Sequence, residues 1–558
     1  MPYKPSSAAF ALALAAATAL GSGATAQTAP PMDDSTMTRL TKNAPDPQVD
    51  YLDLTLDIDM PDPASRSFSA VETLAFKTLK LPLDRLVLNG VGMTIESATV
   101  GGDPVAFRHD GEIVTLTFAE PLAPETEHAL VFKYNVSNPA SGMHFAIPDE
   151  AYPDRPLHIH TQGQPEHNRH WVICHDYPNE RMRTHMNVTV PAKYKVLANG
   201  VREGVEDAGN GMQTWRYSLK KPHVSYLMSL VIGEFDVADL EAWEDVVMEA
   251  WVPPGRAEDA DRTFGRTLNM MEFYSDKLGR YPWSVYHQSV VYKFGSGGME
   301  NTTVTTLYQD AILNRREMVG STLDGLIAHE LAHQWFGDAT TCKTWGHLWL
   351  NEGFATWLDA AWHEHYHGHD EYAYELFTTM RRVAGNDDVT ANGGLIWPYY
   401  DNPRQTFRRR ESNPYSKGCS VIHMMRERLK QQGGTDDDFW QILKNFQIKH
   451  GGSDVESDEL RRELEDYTGR DWELFFQQWV VRPGSPDFDV SYTWNADAKT
   501  VVLTVEQTQP ISAEYPAFTG PLPVTLVDQK GTATNHVIDI DGRRTMATIS
   551  VVRENQLP

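Results

Sequence analysis

Alternating apolar and polar residues dominate the chain as far as about residue 238. In the stretch 51–59, leucine and isoleucine alternate with aspartate and threonine, which gives an extended strand one apolar and one solvated face. Helical periodicity is almost absent from this part of the chain. The pattern therefore predicts an all-β N-terminal domain, a saddle or sandwich, over residues 49–238. Further alternating runs lie at 114–118, 129–136, 186–190 and 226–235.

The period of the pattern changes after residue 238. Two strand-like segments flank a glycine-rich turn at 295–298 and predict a small sheet. We expect a mostly helical middle domain, residues 239–485, and then a small C-terminal β-sandwich, residues 486–558. The predicted class is a multidomain α+β protein without an additional C-terminal helical domain. Apolar residues at helical spacing occur in 264–278, 322–336, 346–365, 417–432 and 460–479.

The first 48 residues carry a different pattern. Lys4 precedes an apolar run at 8–20, and Ala24-Thr25-Ala26 follows the run, so residues 1–26 have the layout of a secretory signal peptide. The run is shorter than the roughly 20 residues that a helix needs to cross a bilayer, so we expect no stable membrane span. Residues 27–48 lack periodicity and predict a flexible leader. The expected location is therefore secreted or periplasmic, after cleavage near Ala26.

Composition narrows the classes of partner. The chain has 558 residues, with 49 Lys+Arg against 76 Asp+Glu and a net charge of −27, which repels nucleic acid and anionic lipid. Its 41% of hydrophobic residues is ample for folded cores. The three cysteines, Cys174, Cys342 and Cys419, are too few and too far apart for a disulfide framework. We expect no nucleic-acid partner.

A metal-binding pattern lies in the middle domain. In His329-Glu330-Leu331-Ala332-His333 the two imidazoles are four residues apart, so on a helix they share one face and both reach one Zn²⁺. A catalytic zinc needs three protein ligands and one open position. Glu352, at the start of the next predicted helix, is the expected third ligand. Asp359 lies two turns further along the same face, where we expect it to bind the outer nitrogen of a ligating histidine.

Two further motifs surround this pattern. Gly297-Gly298-Met299-Glu300-Asn301 precedes it, and Asn413-Pro414-Tyr415-Ser416-Lys417-Gly418 follows it. With them, the chain resembles the gluzincin aminopeptidases, the family of aminopeptidase N and the leukotriene hydrolases. The likeness extends to Thr161-Gln162-Gly163-Gln164 and departs from the family at Ile173, where proline is usual. It implies a β-saddle, a thermolysin-like helical catalytic domain with one zinc ion, and a small β-sandwich.

The resemblance also implies an activity, that of a zinc aminopeptidase acting on peptides with a free N-terminus. We predict that Glu330 is the general base, which takes the proton of the attacking water. By resemblance, Tyr415 stabilises the oxyanion. Glu300 is the best candidate to bind the substrate's α-ammonium through charge-assisted hydrogen bonds. The other predicted substrate contacts are Gln162, Gln164, Gly297, Gly298 and Met299.

Three other functions stay open at this point. A zinc endopeptidase would use the same metal and base, but Glu300 would then meet no ammonium. Epoxide hydrolysis is known in one branch of the family. A catalytically silent peptide-binding protein could keep the fold, although the intact Glu330 and Tyr415 argue against it. A homodimer is compatible with the sequence, but nothing in the sequence demands one.

Overall fold

The computed structural model describes residues 44–383, 394–397, 400, 402–407, 413–513, 515–527 and 531–551. The predicted signal peptide and all but the end of the predicted leader lie outside these residues. No helix of the described ranges is both long enough and apolar enough to cross a membrane.

The N-terminal region, described without a gap from 49 to 233, consists almost entirely of strands. The largest of its three sheets has the order β13-β14-β11-β1-β2-β8-β4-β5, the second β12-β15-β10-β9 and the third β3-β7-β6. The β-rich character expected from the alternation is confirmed. The strands are β1 Val49–Asp59, β2 Ser67–Thr78, β3 Leu83–Asn89, β4 Met93–Val100, β5 Asp103–Pro104, β6 Ala106–His109, β7 Ile113–Leu122, β8 Glu127–Ser137, β9 Met143–Ala146, β10 His158–Thr161, β11 Arg181–Pro191, β12 Lys195–Ala198, β13 Val201–Gly209, β14 Met212–Val224 and β15 Leu230–Gly233.

The alternation in β1 and β2 determines how the large sheet is used. Leu54, Leu56 and Ile58 of β1 are buried in the core beneath the sheet, together with Leu74 of β2. The intervening polar residues stay on the other face, where Asp53 accepts two hydrogen bonds from the Arg183 guanidinium of β11, at 2.5 and 2.7 Å. One face of the sheet therefore closes a core and the other remains polar.

The middle region combines a five-stranded sheet with helices. The sheet has the order β16-β17-β18-β20-β19, in which β17, β18 and β20 are parallel and the short β19 is an antiparallel edge strand. Its strands are β16 Asp236–Asp239, β17 Val247–Val252, β18 Val285–Val291, β19 Gly298–Met299 and β20 Val304–Tyr308. The helices are α1 Ala257–Phe264, α2 Thr267–Leu278, α3 Asp324–Ala332, α4 Trp349–His367, α5 His369–Val383, α6 Arg404–Phe407, α7 Ser416–Gln431, α8 Asp436–His450, α9 Ser457–Thr468 and α10 Glu473–Phe476, and a π-helix follows at Gln477–Val481.

The apolar run 460–479, expected to be one helix, is interrupted. Helix α9 ends at Thr468, and Gly469 adopts a left-handed conformation with φ of 63°. Glycine accepts that conformation without a Cβ clash, so it ends a helix that the apolar spacing alone would continue.

Helices α4 and α7 approach each other unusually closely. A Cβ on Gly353, in the first turn of α4, would lie 2.8 Å from the Cα of Gly418 in the first turn of α7. Glycine at both positions therefore allows the backbones to touch. This contact brings the N-terminal turn of α4, which carries Glu352, next to the N-terminus of α7, which carries Tyr415.

A buried arginine connects the N-terminal and middle regions. Arg181 of β11 donates hydrogen bonds to the backbone oxygens of Asp338 and Ser453, both at 2.9 Å, and to the Thr341 hydroxyl at 2.6 Å. Asn199, after β12, donates to the backbone oxygen of Thr302 at 2.6 Å. The two regions therefore share buried polar contacts.

The last described strands form two small sheets around a separate apolar cluster that includes Val501, Leu503 and Ile549. The first sheet has the order β23-β24-β27, and the second pairs β25 with β26. A further short parallel pair, β21 with β22, lies beside α4 and α8. These strands are β21 Thr340–Cys342, β22 Ser453–Val455, β23 Phe488–Asn495, β24 Thr500–Gln507, β25 Gly520–Val527, β26 Ala533–Ile540 and β27 Arg544–Ser550.

Candidate active site

Helix α3 and His333, the residue that follows it, bring both histidines of the metal-binding pattern to one point. The Nε2 atoms of His329 and His333 are 3.1 Å apart. The other ring nitrogen of His333, Nδ1, lies 2.9 Å from the backbone oxygen of Phe336 and donates to it. That bond orients the ring and leaves Nε2 of His333 with a lone pair for a metal.

Helix α4 adds the third ligand. Glu352 Oε2 lies 3.2 Å from Nε2 of His333 and 3.5 Å from Nε2 of His329. Four ligands at about 2.0–2.1 Å from a tetrahedral zinc are spaced about 3.3 Å from one another. The three separations in the structure, 3.1, 3.2 and 3.5 Å, agree with that spacing. The donor set therefore fits one zinc ion with an open fourth position.

Two more carboxylates crowd this point. Glu300, Glu330 and His333 each offer a ligand atom within 4.8 Å of the others, and all three residues are buried. Burial raises the pKa of Glu330 well above its ordinary range, and the Glu300 and Glu352 charges reinforce the rise. Burial alone would lower the pKa of His333, but the same carboxylates raise it to about 10. The local potential thus favours a positive charge, which agrees with a bound cation.

Gly298, on the edge strand β19, makes room for the Glu330 carboxylate. A Cβ at this position would lie 2.2 Å from Glu330 Oε1, far inside contact distance. At the neighbouring Gly297 a Cβ would meet only Leu326, at 3.5 Å. Glu330 therefore fills the space that a side chain would take at Gly298, and the substrate contact expected at both glycines stays a prediction.

Glu300 is held by groups from two regions of the fold. Gln164, between β10 and β11, donates its amide to Glu300 Oε1 at 3.1 Å. Gln334 donates to the backbone oxygen of Glu300 at 3.1 Å and accepts from the backbone N–H of Thr303 at 3.0 Å. The motif reading missed Gln334. The available signal was an amide between the ligand His333 and the aromatic pair 335–336, since a polar group buried there needs partners.

Tyr415 immediately precedes α7. Asn413 Oδ1 accepts the backbone N–H groups of Tyr415 and Ser416, at 2.8 and 3.1 Å, which caps the helix. The Tyr415 ring lies parallel to the His329 ring, with 6.1 Å between their centroids. Burial and the nearby Glu352 and Glu300 carboxylates raise the pKa of Tyr415 well above its ordinary value, so the phenol stays protonated.

Within the described part of the chain, the structure gives no hydrogen bond between Asp359 and a ligating histidine, and its expected role stays a prediction. Its carboxylate lies 3.5 Å from His363 Nε2, one turn along α4, and no described residue donates a hydrogen bond to its Oδ1. A Cβ on Gly325 would lie 3.3 Å from that oxygen. Asp359 is therefore level with Gly325, one turn before His329, because seven residues carry it about 10 Å along the helix from Glu352. The carbonyl of Phe336 orients His333.

Two of the predicted substrate contacts differ in exposure: the Met299 side chain is buried and the Gln162 side chain is partly exposed. The Met299 side chain is 1% exposed and packs in the core of the N-terminal region, so its side chain does not reach an open surface. Gln162 is partly exposed, and its side-chain oxygen is buried without a hydrogen-bond partner among the described residues. Of these two side chains, only Gln162 offers a free polar atom.

Known protein families cover most of this sequence. Residues 48–227 match the Peptidase M1 N-terminal domain, and residues 262–479 match the Peptidase family M1 domain. The chain belongs to peptidase family M1. The gluzincin resemblance drawn from the motifs is thereby confirmed, and the ligand set of this M1 protein is that of a one-zinc site.

Curated relatives of this M1 protein carry peptidase and hydrolase names. Leucyl aminopeptidase of Saccharolobus solfataricus is 26% identical over 438 residues, 76% of this chain and 53% of that protein. Leukotriene A-4 hydrolase of Xenopus laevis is 22% identical over 80% of this chain and 73% of its own length. The chain spans about half the length of the archaeal aminopeptidases it matches.

Solved structures share the fold. An M1 zinc metallopeptidase from Deinococcus radiodurans gives a TM-score of 0.65 at 23% identity, over 79% of this chain and 96% of that one. A variant of it is solved with a Tyr-Ser-Ala substrate bound. Legionella pneumophila aminopeptidase A, in complex with aspartic acid, gives 0.76 at 17% identity, over 91% of this chain and 57% of that one. These likenesses support a β-rich N-terminal region joined to an M1 catalytic region.

Proposed function

We propose that this M1 protein is a zinc aminopeptidase that hydrolyses the first peptide bond of peptides with a free N-terminus. The observation that carries the proposal is the buried Glu300 carboxylate, which lies beside Glu330 and His333. A carboxylate binds an α-ammonium through charge-assisted hydrogen bonds. A substrate held there has its first peptide bond next to the two histidines and Glu352, which makes that bond the one to be cleaved.

The residues around the metal position divide the chemistry. When bound, zinc supplies a Lewis acid that polarises the peptide carbonyl and lowers the pKa of a water to about 7. Glu330 accepts the proton of the attacking water and passes it to the departing amine as the C–N bond breaks.

Tyr415 and the edge strand complete the site. The Tyr415 phenol, kept protonated by its surroundings, donates a hydrogen bond to the oxygen that gains negative charge in the transition state. Strand β19 pairs with β20 on one side only among the described strands. Its open side offers backbone groups for pairing with an extended peptide, as in other edge-strand recognition.

The direct test compares free and blocked substrates. Zinc-loaded protein should cleave aminoacyl p-nitroanilides but not their N-acetyl counterparts, and a chelator should abolish the cleavage. Equal turnover of blocked substrates, or faster cleavage of an internally quenched blocked peptide, would identify an endopeptidase instead. Absence of turnover on every peptide by the metal-loaded protein would leave the proposal without support.

The Glu300 assignment has its own test. Glu300→Gln should raise KM for free aminoacyl amides by at least about tenfold, since the amide loses the charge that binds the ammonium. Glu258→Gln is the control, because Glu258 is an exposed glutamate on α1, outside the site. Equal KM in the two variants would remove Glu300 from substrate binding.

A further inference from the structure

Thr303 has a backbone conformation that threonine seldom adopts. Its φ angle is 68°, in the left-handed region, where the branched Cβ of a threonine is strained. Residues in such conformations persist only where the surrounding structure holds them, and they are concentrated at functional sites. Thr303 lies three residues after Glu300, in the connection from β19 to β20.

The left-handed conformation of Thr303 belongs to a tight turn. The N–H of Val304 donates to the carbonyl of Asn301 at 2.8 Å, which closes a four-residue turn. Of its two central residues, Thr302 and Thr303, only the second has a positive φ. That pattern is typical of a type II turn, which usually has glycine or asparagine at its third position. A threonine there is strained, so its contacts must hold it in place.

Three hydrogen bonds hold Thr303, and each comes from a different part of the chain. Its N–H donates to Gln334 Oε1 at 3.0 Å, and its carbonyl accepts the His287 N–H at 2.8 Å. Its hydroxyl oxygen accepts the N–H of Gly200, in the connection from β12 to β13, at 2.8 Å. Thr303 is fully buried, so these hydrogen bonds are shielded from solvent.

The N-terminal region contributes two adjacent residues to this contact. Gly200 has a φ of 84°, and a Cβ on it would lie 2.1 Å from the backbone oxygen of Ser218, so only glycine fits. The side chain of Asn199 donates to the Thr302 carbonyl and accepts the Ser229 N–H, both at 2.6 Å. The groups that hold the turn are therefore themselves fixed by the fold.

The same contacts determine where the Glu300 backbone lies. Gln334, whose side-chain oxygen accepts the Thr303 N–H, donates its side-chain nitrogen to the Glu300 carbonyl at 3.1 Å. One amide group therefore links the turn to Glu300. We propose that Thr303 is a positioning residue: its hydroxyl ties the turn to the N-terminal region and so holds the Glu300 carboxylate where it binds a substrate's α-ammonium. This inference rests on the proposed aminopeptidase function.

The first test is the kinetics of Thr303→Ala, which leaves the Gly200 N–H without its acceptor. On free aminoacyl p-nitroanilides, the zinc-loaded variant should show KM raised about three- to tenfold and kcat changed by less than about twofold, as expected for one buried hydrogen bond that supports substrate binding. Thr303→Ser keeps the hydroxyl and should restore the wild-type KM. Thr78→Ala is the matched control, because Thr78 is buried at the end of β2 and its hydroxyl oxygen accepts the Thr126 N–H at 2.9 Å. Equal KM in the two alanine variants would overturn the proposal.

A double-mutant cycle tests whether Thr303 acts through Glu300. In the Glu300→Gln background, Thr303→Ala should raise KM much less than it does in the wild type, since the charge that Thr303 positions is already gone. Additive increases in KM would show that Thr303 supports the fold without positioning Glu300, and would refute the inference. An unchanged KM in Glu300→Gln alone would instead contradict the ammonium assignment, and with it this inference.

Thr303→Gly serves where the alanine variant does not fold. Glycine adopts a φ of 68° without strain but has no hydroxyl, so this variant should fold, bind one zinc per chain and still show the raised KM. A wild-type KM in Thr303→Gly would contradict the role of the Thr303 hydroxyl and leave the aminopeptidase proposal intact.

Discussion

Two regions of this protein bury carboxylates, and they neutralise them in different ways. In the N-terminal region Glu72 is fully buried, and its Oε2 accepts hydrogen bonds from the Tyr134 hydroxyl at 2.9 Å and the Ile173 N–H at 3.0 Å. Burial raises the pKa of Glu72 to about 8, so a proton neutralises it. The family's usual proline at position 173 would have no N–H to donate.

At the zinc site the arrangement is reversed. Glu300, Glu330 and Glu352 surround two imidazoles within a few ångströms, and protonating all of them would remove the ligands and the base. A metal cation neutralises the group and keeps its lone pairs in use. A lone buried carboxylate can thus be satisfied by a proton and hydrogen-bond donors, whereas a crowded set requires a metal. The following predictions test this difference.

Metal loss should have the largest effect. His333→Ala removes one ligand and leaves Glu300, Glu330 and Glu352 with weaker compensation, so zinc content and peptidase activity should both fall to the detection limit. Glu72→Gln should keep one zinc per chain. Metal analysis by mass spectrometry, together with activity before and after chelation and zinc restoration, checks both variants. Full activity without zinc would contradict the metal assignment.

The second-largest effect on activity should come from filling the space beside the Glu330 carboxylate. Gly298→Ala inserts a Cβ that would lie 2.2 Å from Glu330 Oε1, so the carboxylate must move. Displacement of about 1 Å can cost about 10²-fold in rate, and we expect kcat to fall by at least that factor while zinc is retained. Gly297→Ala, whose Cβ meets only Leu326 at 3.5 Å, should cost much less. Steady-state kinetics and metal analysis of both variants test this prediction. Similar losses of kcat in the two variants would count against the Glu330 contact.

Substitutions of two tyrosines near buried carboxylates should have different effects, one on activity and the other on stability. Tyr415→Phe should lower kcat by about 10²-fold with little change in unfolding free energy, because the phenol acts on the transition state. Tyr134→Phe should leave kcat unchanged and lower the free energy of unfolding by about 1–2 kcal/mol, since Glu72 loses a donor. Denaturant unfolding and turnover, measured on both variants, test the pair. Loss of activity in the Tyr134 variant would break the contrast.

The last prediction concerns stability alone, through the pH dependence of Glu72. Folded protein holds the Glu72 proton up to about pH 8, whereas an unfolded chain releases it near the ordinary value of 4.5. Between these values the folded state binds more protons, so the contribution of Glu72 to unfolding free energy falls as pH rises, by at most about 1.4 kcal/mol per pH unit. Relative to Glu72→Gln, wild type should lose stability from pH 5 to pH 8. A difference that is constant across this range would show that Glu72 does not titrate there.

Local periodicity made much of this molecule predictable. The spacing of His329 and His333 determines their relative position on any helix, and the alternation in β1 determines which side chains reach the core. Contacts between elements that are distant in the sequence were harder to predict. The Asp359 carboxylate lies beside Gly325, and Glu330 fills the space that a side chain would take at Gly298. Gln334 holds Glu300 through bonds to backbone that no motif encodes.

The buried Arg181 ties the N-terminal region to the middle region, so the two cannot be separated without breaking hydrogen bonds. Its three hydrogen bonds reach two carbonyl oxygens and a hydroxyl group of the middle region from a strand of the N-terminal region, so separating the two regions would break all three and expose the surfaces that bury them. Joining the middle region to a different N-terminal domain would require another hydrogen-bond donor in place of the Arg181 guanidinium. The two halves should accordingly melt as one calorimetric unit, and evolution would be expected to exchange them only together.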